Sequence, residues 1–538
     1  MTAAATTTAP PSSEGVWTSS ALARHRLAEF AMGTWIPIAL VIAGAALRTR
    51  QYAFRRSLWN DEAALALNIV HRSFGGLLRP LGLQQGAPIG FLWIERAAVD
   101  VFGNNEYALR LFPLIAGIAG LVLFAIIARR VLSPWATPFA VLLFAVLQPL
   151  VYFSTEVKQY GVDVTAALLI AYMTLRLLDR PVTGRRALVW GAVGGAMLFV
   201  SHPAALVLGA CGVAVALVLA RRHERVQLEQ FAWGVGVVAA AFIVEYAVSL
   251  RNLSANQVLA AYWHDGYPPQ PFHLGTAVDW IVNLPAHLVP DPLAVKHSVA
   301  LYVLAAVGLV GLARRRPPVT LLFGGIVAAA ICAALVRAYP LQWRLALYLV
   351  PFVLLAAAAS IDVVTGARMP IRLLAVIPAV ALVFVAVSPS SDALSALGRP
   401  YTRTELRRVL DKVAAQRRPG DLVYVHWTAA TLFDYYAPLL HLQRDGVVGF
   451  EHQATCDDTA ALARLRNHRV WFVFAFPPGY DPADNAAATL THVGSRGTRL
   501  FRADAAGSAE VDLYQLSDRV AAPGPPPYSG PCLNPPSS

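Results

Sequence analysis

Leu58-Trp59-Asn60-Asp61-Glu62-Ala63 is the stretch on which the interpretation of the whole sequence depends. Two adjacent carboxylates follow an aromatic residue and an amide, and residues 64–72 show the pattern of a short amphipathic helix. Asn60 is a good helix N-cap, and acidic residues in a first turn satisfy free N–H groups, so the helix start alone can explain the pair. The stretch also lies in a loop between apolar segments, where carboxylates are costly and mark functional sites. Both interpretations stay open from these residues alone.

The composition is that of a membrane protein. Of the 538 residues, 57% are hydrophobic and only 14% are charged, and several apolar runs are long enough to cross a bilayer as helices. The formal net charge of +12 would also suit a nucleic-acid-binding protein. However, the arginines cluster in short loops between the apolar runs, as the orientation of membrane helices requires. We therefore expect the lipid bilayer, and no nucleic acid, as a partner.

These patterns predict an all-α polytopic membrane protein with a small C-terminal α/β domain on the outer side of the membrane. We expect about 11 transmembrane helices, because Arg-rich loops alternate with other loops along the apolar runs. The predicted location is the plasma (inner) membrane, with the N-terminus in the cytoplasm. The predicted parts are a disordered cytoplasmic tail (1–29), a transmembrane domain (30–388), an extracytoplasmic α/β domain (389–520) and a Pro-rich tail (521–538). The first outer loop of the transmembrane domain is predicted at 48–106.

Local patterns predict individual helices and strands. A second amphipathic helix at 89–99, with Trp93, Glu95 and Arg96, is expected to lie along the membrane surface. The fifth and sixth apolar runs are short and are separated by Ser201-His202-Pro203. The C-terminal domain is predicted to alternate helices and strands: helices at 404–416, 429–440 and 459–467, strands at 422–425, 446–450 and 470–476, and edge strands at 498–501 and 511–516.

The four cysteines fit this division of the chain. Cys211 and Cys332 lie within apolar runs and are expected to be small buried side chains. Cys456 and Cys532 lie in the domain predicted to be outside the cytoplasm, where disulfides persist, and we expect them to form one. The sequence contains no Walker loop, no GxSxG elbow, no GxGxxG after a strand and no CxxC motif. These absences argue against a soluble nucleotide-dependent enzyme and a structural zinc site.

Charged residues in the predicted outer loops suggest a reaction. The carboxylate pair shares that side of the membrane with Glu156, Lys158, His202, His264, Asp265, Arg337 and Arg344. Such a set suits attack by a hydroxyl group on a sugar carried by a lipid phosphate. One carboxylate would act as general base, and the cations would stabilise the phosphate as it leaves. Few catalytic residues are then needed, because phosphate is a good leaving group.

The order of short motifs resembles that of the GT-C superfamily of membrane glycosyltransferases, in its protein mannosyltransferase and aminoarabinose transferase-like branch (glycosyltransferase family 39-like). The matching motifs are Trp59-Asn60-Asp61-Glu62-Ala63, Ala87-Pro88, Tyr107-Ala108-Leu109-Arg110-Leu111 and Phe153-Ser154-Thr155-Glu156-Val157-Lys158-Gln159-Tyr160. The likeness covers about residues 30–390. It implies a GT-C-like fold, Asp61 as catalytic base, and a polyprenyl-phosphate-linked sugar donor in the outer leaflet. The family often has Arg where this chain has Lys158, which lacks the bidentate fork for phosphate.

The candidate site residues fall into three groups. The catalytic candidates are Asp61 and Glu62, the candidates for binding the donor phosphate are Lys158, Arg110, Arg337 and Arg344, and the supporting candidates are Glu156, Tyr160, His202 and His264. Simpler explanations exist for most of them. Arginines at helix ends can anchor to lipid headgroups, the histidine before Pro203 can belong to a helix break, and loop charges can simply be solvated.

Two other classes of protein stay open. A polytopic transporter or lipid flippase without transferase activity would show charged residues in mid-helix and paired halves with broken helices, whereas the polar residues here concentrate in outer loops. A membrane-anchored binding protein would act through its outer domain, which shows no catalytic pattern and would instead guide the acceptor. Convergence of Asp61, Glu156, Lys158 and Arg344 on one outer cavity would favour the transferase. The sequence indicates no certain cofactor and leaves a divalent metal open.

The arginine pattern makes the topology testable. A reporter that is active only in the cytoplasm should be silent when fused after Ser538, because an odd number of crossings from a cytoplasmic start leaves residues 390–538 outside. The same reporter fused to the N-terminus is the control and should be active. A strong signal from the C-terminal fusion would reverse the orientation and move the proposed site to the cytoplasmic side.

Overall fold

The computed structural model describes residues 28–288, 292–365, 376–442, 447–448, 465–475, 490, 493–495 and 497–517. The helices are α1 (Ile36–Ala53), α2 (Asn60–His71), α3 (Ile89–Phe102), α4 (Glu106–Val131), α5 (Thr137–Val146), α6 (Gln148–Tyr152), α7 (Tyr160–Leu178), α8 (Gly184–Leu198), α9 (Ala204–Arg221), α10 (Arg225–Glu245), α11 (Arg251–Ser254), α12 (Gln257–Tyr262), α13 (Leu274–His287), α14 (Ser298–Arg315), α15 (Pro317–Leu335), α16 (Val350–Thr365), α17 (Val376–Gly398), α18 (Leu406–Gln416) and α19 (Ala430–Tyr436). The strands are β1 (Leu422–Val425), β2 (Val447–Val448), β3 (Arg469–Ala475), β4 (Gly497–Ala505) and β5 (Ala509–Leu516).

The apolar runs predicted to span the membrane are helices. In the described part of the chain, nine helices are long and apolar enough to cross a membrane, or up to ten if one bent pair is a single span. The predicted count of about 11 is not confirmed. One reason is α8, which has 15 residues, whereas a straight crossing needs about 20. The first helix continues to Ala53, past residue 48, where the outer loop was predicted to begin.

The third predicted span, 135–153, is broken, because α5 and the segment that begins with α6 are bent by 61°. Pro149 has no N–H, so the carbonyl group of Ala145 lacks its usual helical donor. The guanidinium group of Arg48 in α1 supplies the replacement. It donates to the carbonyl oxygens of Ala145 and Phe144, both at 3.1 Å. This fully buried arginine therefore satisfies the backbone groups that the bend leaves free, as an apolar environment requires.

Glycines let membrane helices approach closely. A Cβ atom on Gly308 of α14 would lie 1.8 Å from the carbonyl oxygen of Ala356 in α16. Gly191 of α8 and Gly234 of α10 meet in the same way, because a Cβ on Gly191 would lie 2.4 Å from the oxygen of Gly234. Larger side chains would force these helices apart. Helix α16 and the turn Trp343–Leu349 before it are almost fully buried, so they form the centre of the bundle.

The C-terminal domain contains a five-stranded mixed sheet in the order β2-β1-β3-β5-β4. Strands β2, β1 and β3 are parallel, whereas β5 is antiparallel to both β3 and β4. The strands predicted at 422–425 and 470–476 correspond to β1 and β3, and of the strand predicted at 446–450 the structure describes only Val447–Val448, as β2. The prediction of an edge strand at 511–516 is wrong, because β5 lies between β3 and β4. Strand β5 is consequently buried along most of its length.

Two further predictions concern cysteines and a helix. Cys211 is buried as predicted, whereas the prediction is wrong for Cys332, which is exposed. Cys456 and Cys532 lie outside the described residues, so the disulfide between them stays a prediction. The helix predicted at 459–467 falls mostly outside them as well.

Gly308→Ala should destabilise the helix bundle, because the new methyl group would clash with the carbonyl oxygen of Ala356. Overpacking of this kind typically costs about 1–3 kcal/mol. The matched control is Gly324→Ala in α15, where an added Cβ meets no atom within 4 Å. The measurement is the apparent melting temperature in detergent. Equal values for the two variants would show that α14 and α16 are not in contact at Gly308.

Candidate active site

The first turn of α2 separates the two adjacent carboxylates. Neighbouring residues in a helix point about 100° apart around its axis. Glu62 turns back and accepts the N–H of Trp59 at 3.2 Å, so it satisfies a free donor at the helix start. Asp61 instead faces Lys158 and Arg344. The helix-start interpretation therefore applies to Glu62, whereas Asp61 is the carboxylate that faces the two cations.

Glu62 forms a buried ion pair with Arg110 of α4. Its Oε1 accepts from Arg110 Nε at 2.9 Å and from the N–H of Val157 at 2.8 Å, and its Oε2 accepts from Arg110 Nη2 at 2.7 Å. Arg110 also donates to the carbonyl oxygens of Arg56 and Ser57. Protein groups thus occupy both oxygens of Glu62 and the guanidinium group of Arg110. This geometry favours a positioning role for both residues, and not direct contact with a substrate.

Asp61 lies between two cations. Lys158 Nζ donates to its Oδ1 at 3.0 Å, and Arg344 Nη2 donates to its Oδ2 at 2.9 Å. Gln85 Nε2 also donates to Oδ1, at 3.1 Å, and Gln85 Oε1 accepts from Lys158. The side chain of Asp61 is 19% exposed, compared with 4% for Lys158 and 8% for Arg344. Asp61 is therefore the most accessible of these three charged side chains, and both cations lie directly beside it; together with Gln85, the three form what we call the Asp61 cluster.

The neighbouring cations decide the protonation of both carboxyl groups. Burial raises the pKa of Asp61, but the charges of Lys158 and Arg344 lower it by more than burial raises it, so the pKa lies well below its ordinary value. Burial also raises the pKa of Glu62, and Arg110 and Arg56 outweigh that effect and lower it. Asp61 is therefore ionised at neutral pH, as a general base must be.

Aromatic rings hold the side chain of Arg344 in place. Its guanidinium carbon lies 5.1 Å from the ring centre of Trp263, 5.4 Å from that of Tyr160 and 5.6 Å from that of Trp59. Arg344 Nε also donates to the hydroxyl group of Tyr160 at 3.0 Å. Cation–π contacts attract a guanidinium group without neutralising its charge. The structure thus brings Tyr160, a predicted supporting residue, against the cation that binds Asp61.

Glu156 is connected to the Asp61 cluster through Trp59. Its Oε1 accepts the indole N–H of Trp59, and its Oε2 has no hydrogen-bond partner among the described residues. Burial raises the pKa of Glu156, and the charge of Glu62 adds to this rise against the opposing effect of Arg403. Glu156 therefore orients the indole ring that supports Arg344, and it does not contact Asp61 or Lys158 directly.

Three predicted site residues make their described contacts elsewhere. The guanidinium group of Arg337 stacks on the ring of Tyr267 at 4.6 Å. His264 is exposed and pairs with the neighbouring carboxylate at 2.9 Å. His202 is buried, with its Nε2 at 3.6 Å from Glu245. None of the contacts described for these three side chains reaches the Asp61 cluster.

Sequence reasoning missed Gln85, Arg56, Trp263 and Arg403. Gln85 shortly precedes the Ala87-Pro88 motif, and Trp263 is adjacent to His264, so both lay close to positions already singled out. Arg403 comes from the far end of the chain, yet its guanidinium carbon lies 4.2 Å from the ring centre of Trp59. No local pattern links such distant residues, because only the fold brings them together.

The described residues offer no ligand set for a metal ion. Within them, no group of three or more His, Cys, Asp or Glu side chains lies close enough together to hold one. The divalent metal that the sequence left open therefore has no residues assigned to it.

Part of the chain matches a known family. A family model described as dolichyl-phosphate-mannose-protein mannosyltransferase matches residues 86–247. This segment includes Arg110, Glu156 and Lys158, but it does not reach Asp61. A sequence comparison with curated proteins finds no significant match.

The whole fold matches that of ArnT from Cupriavidus metallidurans in the apo state, with a TM-score of 0.50, 14% identity, and coverage of 95% of this chain and 100% of that chain. For ArnT from the same organism bound to undecaprenyl phosphate, the TM-score is 0.49 and the identity 14%, with 90% of this chain and 99% of that chain covered. For the Archaeoglobus fulgidus oligosaccharyltransferase in complex with Zn and sulfate, the TM-score is 0.44 and the identity 12%, with 74% of this chain and 61% of that chain covered. The chain is thus a multi-pass membrane protein with an ArnT-like GT-C fold and a small C-terminal sheet. The predicted resemblance is confirmed, and so is the predicted fold class apart from the count of about 11 helices and the side of the membrane on which the C-terminal domain lies.

Glu62→Gln should destabilise the protein, because it leaves the charge of Arg110 buried without a counter-ion. Breaking a buried ion pair typically costs about 3–5 kcal/mol. The matched control is Asp100→Asn in α3, because the side chain of Asp100 is exposed, and ion pairs at the surface contribute at most about 1 kcal/mol. The measurement is the apparent melting temperature in detergent. Wild-type stability combined with loss of sugar transfer would show instead that Glu62 acts on the substrate.

Proposed function

We propose that the protein is a membrane glycosyltransferase, a hexosyl- or pentosyltransferase, that moves a sugar from polyprenyl phosphate to a hydroxyl group outside the cytoplasm. The acceptor would be a protein, a cell-wall glycan or a lipid. The observation that carries the proposal is an ionised, partly exposed Asp61 with Lys158 and Arg344 bound to its two oxygens. The reaction needs a base and phosphate-binding cations in one place. The family match and the ArnT-like fold support the same class.

In the proposed reaction, Asp61 takes the proton of the acceptor hydroxyl group. The hydroxyl oxygen forms a bond with the anomeric carbon of the sugar, and the bond between that carbon and the phosphate oxygen breaks. The phosphate leaves with the electron pair, and Lys158 and Arg344 stabilise its charge. A single displacement of this kind inverts the configuration at the anomeric carbon.

The donor phosphate and Asp61 would compete for the same cations. Without a donor, Lys158 and Arg344 both donate to Asp61, which lowers its pKa and makes it a weak base. A phosphate group forms strong charge-assisted hydrogen bonds and would draw these donors away. The pKa of Asp61 would then rise towards its ordinary value, and a base with a pKa closer to the working pH removes a proton more efficiently. Donor binding would thus activate the base.

The geometry separates the four predicted phosphate-binding cations. Lys158 and Arg344 flank the accessible carboxylate and are the cations that we assign to the donor phosphate. Arg344 has the bidentate fork that Lys158 lacks. Arg110 is engaged by Glu62 and backbone carbonyls, so we assign it a supporting role. Arg337, stacked on Tyr267, has no assigned role in this state.

A transporter or lipid flippase is the alternative that the sequence left open. A transferase was expected to bring Asp61, Glu156, Lys158 and Arg344 together on one outer cavity. Asp61 contacts Lys158 and Arg344 directly, and Glu156 binds Trp59, whose ring lies against Arg344. These contacts support the transferase.

Asp61→Asn should reduce sugar transfer roughly 100-fold or more, because asparagine keeps the shape of the side chain but cannot accept the proton. The measurement is transfer from a polyprenyl-phosphate sugar donor to an acceptor, at matched levels of membrane-inserted protein. Asp100→Asn, on the surface of α3, is the matched control and should transfer at the wild-type rate. A near wild-type rate for Asp61→Asn would mean that the base lies elsewhere, and Glu156 would be the next candidate.

A further inference from the structure

A short segment of the C-terminal region runs alongside the chain that leads to Asp61. We call residues 401–407 the strap. At its start, Gln51 exchanges two hydrogen bonds with the backbone of Tyr401, at 2.8 and 3.1 Å, and Arg56 donates to the same carbonyl oxygen at 3.3 Å. The strap is thus attached to the end of α1 and to the residues that follow it.

The strap continues along the residues immediately before Asp61. Glu405 accepts hydrogen bonds from the N–H and the hydroxyl group of Ser57, at 3.4 and 3.3 Å. The hydroxyl oxygen of Ser57 in turn accepts the N–H of Arg407 at 3.2 Å. Arg403 covers the ring of Trp59 at 4.2 Å. These contacts hold a loop that has no regular secondary structure of its own.

Tyr436, at the end of α19, binds the backbone of Leu58, the residue that follows Ser57. Its hydroxyl oxygen accepts the N–H of Leu58 at 2.6 Å. Both residues are fully buried, so this N–H would lose its partner without the tyrosine hydroxyl, and buried backbone donors are rarely left unpaired. Tyr436 therefore determines where the backbone lies three residues before Asp61.

The sheet of the outer domain in turn positions the strap. Glu405 donates its N–H to the carbonyl oxygen of Ala506 at 2.9 Å, in the turn between β4 and β5. The next residue, Gly507, has a φ of +74°, and a Cβ atom there would lie 1.3 Å from the carbonyl oxygen of Arg403. Only glycine lets the turn approach the strap so closely.

We propose that the outer domain positions the catalytic base, with Tyr436 and Glu405 as positioning residues and the turn at Gly507 as the contact that holds the strap. The sequence had suggested only that this domain guides the acceptor. The inference rests on the proposed function, because it assigns a role in the transfer reaction to residues that do not touch the substrate. A displacement of about 1 Å in a catalytic group can reduce a rate by a large factor.

The test compares Tyr436→Phe with Tyr435→Phe in the full-length membrane protein. Both variants lose one hydroxyl group from a buried tyrosine of α19, but that of Tyr435 donates to Asn104 at 2.8 Å and not towards Asp61. Tyr436→Phe should lower kcat about tenfold and leave the KM for the donor within twofold, because the cations that bind the phosphate keep their places. It should also speed hydrogen exchange in the peptide that contains Leu58. Tyr435→Phe should change neither quantity.

Gly507→Ala is the second variant, because its methyl group would push the turn between β4 and β5 away from the strap. It should speed exchange at Leu58 and lower kcat in the same direction as Tyr436→Phe. Wild-type exchange and kcat in both Tyr436→Phe and Gly507→Ala would overturn the inference, as would equal effects of Tyr435→Phe and Tyr436→Phe. Absence of transfer in the wild type would refute the proposed function alone, since hydrogen exchange reports the contact independently of activity.

Discussion

The buried ion pair between Glu62 and Arg110 joins three separate parts of the chain. Glu62 lies in the first turn of α2, Arg110 lies in the first turns of α4, and Val157, which donates to the same carboxylate, precedes α7. A buried pair of charges is costly unless its remaining hydrogen-bonding groups are satisfied, and here they are. Because neighbouring helix residues point in different directions, the position of Glu62 also determines where Asp61 points. The direction of the proposed base therefore depends on the buried ion pair of its neighbour.

The same requirement explains the other buried cations. Arg48 donates to the carbonyl groups that the Pro149 bend leaves free, and Arg344 binds Asp61 within a set of aromatic rings. A charge inside a membrane domain persists only if polar or aromatic groups replace its water shell. The Nη atoms of Arg48 donate to three backbone carbonyl oxygens, and its Nε has no hydrogen-bond partner among the described residues, so this arginine serves the fold. Arg344 instead donates to the partly exposed carboxylate of Asp61, where the proposed donor phosphate would compete for it.

The C-terminal domain contributes to the membrane domain more than its sequence pattern suggested. Its helices α18 and α19 share one apolar cluster with residues of the segment between α1 and α4. Arg407 forms an ion pair with Glu106 at the start of α4, at 2.6 Å. Loops carry function when a rigid framework positions them, and here residues from the far end of the chain form part of the framework of residues 54–105. Contacts between these two parts of the chain therefore surround the residues that lead to Asp61.

The sequence by itself determined the membrane class, the positions of the long helices, most of the strands of the C-terminal sheet, and the motifs that contain Asp61, Glu156, Lys158 and Tyr160. Hydrophobic runs, charge placement and strand patterns are local properties, so they can be read without a fold. Only the tertiary structure decided which of the two adjacent carboxylates faces the cations, that β5 is internal to the sheet, and that Arg110 serves Glu62 while Arg344 serves Asp61. It also brought Gln85, Trp263 and the strap to the site. These outcomes depend on contacts between residues far apart in the chain, and no local pattern encodes which distant side chain will satisfy a buried charge.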